Sequence, residues 1–138
     1  MKHVRKGKRK EKGQSLTEVA IALPVILLIL AGVLDLGRLY YVTVALTDAA
    51  GEGAAYATIN PYATDEIIAR TVAASGGMVQ IEADNVTIDY PVIQAGMPVT
   101  VTVEYDFTVA TPIINAIVPD GVLRLRGVAA GSIMTGEM

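Results

Sequence analysis

Apolar positions recur along the chain in three rhythms, and each predicts a different element. The first is continuous. Val19–Leu34 is a run of sixteen uncharged positions, and Leu16 extends its apolar reach upstream. A bilayer's hydrocarbon core is crossed by roughly 20 residues of helix, so the run predicts a membrane-spanning segment once its flanks contribute. Pro24 lies inside it and removes the helical hydrogen bond to Ala20, so a kink is possible there.

The second rhythm is helical. "DLGRLYYVTVALTDAAGEGAAYATIN" continues without proline up to Asn60-Pro61, which should end the helix. Tyr40 and Tyr41 stand where an interfacial aromatic belt would lie, and Asp35 and Arg38 share a face three residues apart. Ala45, Ala49, Gly53 and Ala57 recur every fourth residue, a stripe of small side chains that admits close packing within or between subunits. Gly51 and Gly53 each cost an isolated helix about 1 kcal/mol relative to Ala, so this half needs something to pack on. A second helix fits "TDEIIARTVAAS". Thr64 is the expected N-cap, Asp65 and Glu66 complement the first-turn dipole, and Gly76-Gly77 stops it.

The third rhythm is alternation. "NVTIDY", "PVTVTVEYDFTV" and "GVLRLRGVAAGSIM" each place every second residue on one face. In the middle segment Val99, Val101, Val103, Tyr105 and Phe107 form the apolar face. These should pack on Ile67, Ile68 and Val72. Gly127 and Gly131 suit a bulge or a close approach. "TPIINAIVP" reads as a short helix or apolar loop. The fold class is α+β: a long N-terminal helix, a second helix and a roughly three-stranded antiparallel sheet. The expected divisions are a basic leader (1–13), a transmembrane helix (14–36), its continuation (37–60) and a small α+β domain (61–138). Residues from about Tyr40 onward should form a soluble unit.

Charge sharpens this picture. Residues 1–13 hold seven Lys/Arg against Glu11, about +6, whereas the remainder holds four against thirteen Asp/Glu, −9. The basic end favours a cytoplasmic N-terminus and an extracytoplasmic C-terminal part in a single-pass protein. Beside a spanning helix such a block is a topology signal, so no nucleic-acid partner is expected. Cysteine is absent and His3 is the only histidine, which excludes thiol chemistry, disulfides and histidine triads. "EADNVTID" lacks the spacing of a calcium loop. No metal, cofactor or enzymatic activity is expected. A cleaved secretory signal is the plainer alternative for the N-terminus, but the run exceeds an ordinary h-region and lacks a small-x-small cleavage site.

Glu18 interrupts the start of the apolar segment, where an unpaired carboxylate is costly. A basic leader, Gly13, then Gln14-Ser15-Leu16-Thr17-Glu18 and an apolar helix resemble the class III signal of type IV pilin-like proteins. The resemblance implies a prepilin peptidase that cuts between Gly13 and Gln14 and leaves Glu18 as the fifth mature residue. The new amine at Gln14 of one subunit could then neutralise Glu18 of a neighbour. The wider segment, roughly residues 13–58, is similar to TadE-like proteins, the pseudopilins of Tad (Flp-type) pili. Matching positions are Gly13, Gln14, Ser15, Glu18, Ala20, Pro24, Gly32, Asp35, Gly37, Arg38, Tyr41, Ala49, Ala50, Glu52, Gly53, Ala54, Tyr56 and Ala57. Gly51 stands where the family often has Arg, and Val19 where major Flp pilins tend to have Tyr.

The resemblance implies a minor, pilin-like subunit of the inner membrane that takes part in assembling a Tad pilus, and so in surface adherence or secretion. Its partners would be the peptidase, other pilins or pseudopilins, the inner-membrane Tad assembly platform and the bilayer. The alternative is a membrane-anchored envelope binding domain that does not polymerise. Such an anchor needs neither Glu18 nor a glycine five residues before it.

Overall fold

The computed structural model describes residues 8–77, 79–112 and 119–134. One uninterrupted helix, α1 (Lys8–Ile59), takes up the first half and runs through Pro24. Its environment changes along its length. From Leu16 to Leu34 nearly every large apolar side chain is exposed, with only Leu28, Ala31 and Gly32 partly covered. Those 19 residues rise about 28 Å at ~1.5 Å each, close to the thickness of a hydrocarbon core. The helix is therefore long and apolar enough to cross a membrane.

From Asp35 onward one face of α1 is buried. Asp35, Val42, Leu46, Ala49, Ala50, Ala54 and Ala57 follow one another at helical spacing, all below a tenth exposed. The packed body therefore begins at Asp35, five residues before the expected start at Tyr40.

A turn at Asn60–Ala63 leads into α2 (Thr64–Ala74). Its N-cap is Ala63 and no side chain caps it, so Thr64 is the first helical residue and not the cap. Asp65 and Glu66 in the first turn still oppose the positive end of the helix dipole. Gly76 and Gly77, at φ 67° and 73°, end it in a conformation that other residues adopt at a cost.

The sheet is antiparallel in the order β1 (Val86–Asp89), β2 (Pro98–Thr108), β3 (Val122–Ser132). Register between β2 and β3 is unbroken from Pro98↔Ser132 to Thr108↔Val122, so the glycines of β3 make no bulge. They make room instead. A Cβ at Gly127 would overlap the Leu46 backbone, and one at Gly131 would overlap the Thr58 side chain. The end of β3 is also tied to the helix, because Met134 N donates to Thr58 O at 2.7 Å.

Val99, Val101, Val103 and Phe107 point from β2 into the core with Ile67 of α2, while Ile68 and Val72 flank it. Tyr105, expected with them, is only half-buried, because it borders an open groove between α1 and β2, whereas Phe107 two residues on is buried under Arg38 of α1. Residues 113–118, within the segment expected to be a short helix or loop, lie outside the described residues.

Candidate processing and assembly site

The N-terminal part of α1 carries the residues singled out from the sequence. Gly13 lies within the helix, and its carbonyl accepts a hydrogen bond from Thr17 Oγ1 at 3.0 Å. A Cβ on Gly13 would meet no atom within 4 Å, so the fold itself has no steric need for glycine there. One turn apart, Gln14 Nε2 donates to Glu18 Oε1 at 3.1 Å on an exposed face. An amide so placed gives the carboxylate a partner but no opposite charge. Pro24 is exposed on the same bare stretch.

The small-residue stripe lies elsewhere. Ala49, Gly53 and Ala57 are buried inside the chain's own body and Ala45 is half-buried. Gly53 is the tightest point: a Cβ there would overlap Thr71 Oγ1 of α2 and press on Val101 of β2. The stripe thus lets α1 sit close to both α2 and the sheet. Gly13, Gln14 and Glu18 are on the far side of the apolar stretch from it.

Between these two regions is a junction that sequence reasoning had only half described. Asp35 pairs with Arg38, Oδ1 to Nη1 at 3.5 Å, as the spacing suggested. Its other oxygen, Oδ2, accepts from the backbone amides of Ala110 (3.1 Å) and Thr111 (2.7 Å) and from Thr111 Oγ1 (2.5 Å). Three donors on one oxygen satisfy a buried carboxylate and fix the chain that leaves β2 to the last turn of the apolar stretch. Arg38 in turn lies over the Phe107 ring, 5.3 Å from its centroid. The only sequence signal for this contact was a carboxylate directly after an apolar run; its partner is 76 residues away.

Farther out, Tyr56 donates from its hydroxyl to Glu66 and carries Arg70 over its ring at 4.1 Å, joining α1 to α2. Among the described residues no group of acidic side chains could hold a metal.

Residues 13–55 match the family model of TadE-like protein. This segment is TadE-like. No curated protein and no solved structure matches the chain. The TadE-like segment runs from the glycine at the head, across the apolar stretch and the Asp35 junction, into the packed half of α1. The match associates this segment with Tad pili and ends within α1, before α2 and the sheet.

Proposed function

We propose that the chain is a pseudopilin or minor pilin that is processed after Gly13, held in the cytoplasmic membrane by residues 16–34 and incorporated into a Tad pilus or its assembly complex. The observation that carries the reading is the exposed pair Gly13 and Glu18. Each is unfavourable where it stands, and among the described residues the only side chains they bond to are one turn away on the same helix. Both make sense when another molecule uses them.

Glycine weakens a helix by about 1 kcal/mol relative to Ala, which lowers the cost of unwinding at a scissile bond and leaves the peptidase backbone unhindered. Cleavage removes the basic block and exposes an amine at Gln14, one turn from Glu18. Within one subunit that amine adds to the Gln14 contact. Between staggered subunits the amine of one can reach the Glu18 of the next, so that two charges enter an apolar bundle as a pair. The leader's charge supports an N-terminus on the cytoplasmic side, with the packed body outside.

The test is Glu18→Ala. It makes the helix more apolar, so membrane insertion is retained, and the packed body starting at Asp35 is untouched. Incorporation fails, because an amine is left in an apolar bundle without its counter-charge, a loss of about 3–5 kcal/mol when one partner of a buried pair is removed. The readout is processed protein in sheared pili, or crosslinked to other pilins, relative to the membrane fraction. Recovery at wild-type level would show that the carboxylate is a bystander at the lipid surface.

A further inference from the structure

Where the apolar stretch meets the packed body, a groove of about 520 Å³ opens between α1 and the membrane-side end of β2. Val33 and Leu34 line it at the end of the apolar stretch with Gly37 as its floor, Arg38 and Thr108 bring polar groups to it, and Tyr41, Tyr105 and Phe107 line it as well. We propose that this groove binds the phosphate and glycerol region of one phospholipid of the leaflet that faces the body, with Arg38 as the phosphate ligand.

Depth, charge and shape support that occupant. Leu34 is the last residue of the apolar stretch, and Arg38 stands one turn beyond it, about 6 Å at ~1.5 Å per residue. That is where phosphates lie when the residues below occupy hydrocarbon. The Arg38 side chain is 60% exposed, and only Nη1 is engaged by Asp35. Among the described residues Asp35 is the one carboxylate paired with the guanidinium, and three other donors occupy its second oxygen. A guanidinium has five N–H donors in a planar fork that suits phosphate, and among the described residues Asp35 pairs with only one of its nitrogens. Phe107 holds the plane of Arg38 in place from the sheet side. At Gly37 a Cβ would meet nothing within 4 Å, so the floor is open to an incoming group. Val33 and Leu34, both more than half exposed, continue the groove into the lipid-facing surface and offer the acyl chains an unbroken path. The inference needs α1 to cross a membrane; it does not need the chain to polymerise.

Native mass spectrometry of the full chain, released from detergent micelles containing phosphatidylglycerol or a diacylglycerol with the same acyl chains, tests the proposal. The wild type should retain one phosphatidylglycerol and about ten-fold less diacylglycerol, and excess inorganic phosphate should not displace the lipid. Arg38→Gln removes the charge from the hydrogen bond to phosphate and should lower retention about ten-fold or more. Gly37→Leu should do the same by filling the floor with Arg38 still in place, and it favours the helix, so loss of fold does not account for the result. Either variant retaining lipid as well as the wild type, equal retention of diacylglycerol, displacement by inorganic phosphate, or a lipid-free dimer with the groove covered would overturn it.

Discussion

Asp35 and Gly53 set the position of α1 against the rest of the body, one through hydrogen bonds and the other through absence of a side chain. Asp35→Ala leaves the amides of Ala110 and Thr111 without their acceptor. An orphaned buried donor costs about 1–3 kcal/mol, so the detergent-solubilised full chain should melt several degrees lower, at roughly 4–8 °C per kcal/mol for a small domain. An unchanged melting temperature would mean that water replaces the carboxylate freely and that the junction is not held by it. At Gly53 the expectation is harsher. Leu would overlap Thr71 and Val101, two fully buried side chains of different elements, and neither can retreat without opening the core. Gly53→Leu should fail to give a protease-resistant body, whereas Gly51→Leu, with nothing within 4 Å of its Cβ, should give one. Equal resistance of the two variants would contradict the packing described here.

At the scale of elements, a continuous apolar run identified the first half of α1, and periodicity identified its second half, α2 and all three strands, because each of these packs one face and leaves the other more exposed. The bounds of β2 and β3 were legible to within a residue or two for the same reason. What the sequence could not show depends on contacts between distant segments. Thr64 resembles an N-cap by residue type, but the turn before it puts Ala63 in that position. Tyr105 alternates in phase with the core yet borders an open groove beside α1. Gly127 and Gly131 allowed a bulge or a close helix, and only the partner surface, Leu46 and Thr58, decides between them. The β2 face is the firmest of these assignments and the easiest to test. Val101 is fully buried, so Val101→Asp places an unpaired charge among Ile67, Val99 and Val103. A loss of several kcal/mol is expected, visible as a collapse of the thermal transition. A normal transition would mean that this face is turned to solvent.

In the whole molecule, one helix serves two environments. Its first half exposes apolar side chains on nearly every face, while its second half buries a single stripe under α2 and the sheet, and Asp35 marks the change. The residues proposed for processing and assembly stand out at the head through spacing alone: a glycine, a carboxylate five residues later and a basic block before both. The junction and the groove were not legible, since they exist only once β2 is brought beside the end of the apolar stretch. The central claim is that the chain matures at Gly13 for assembly, and the most direct measurement is the intact mass of the protein extracted from membranes of its native host. The predicted species is shorter by residues 1–13 and begins at Gln14, and Gly13→Leu should leave it uncut. A full-length wild-type protein, or one that begins beyond Val33, would contradict the account.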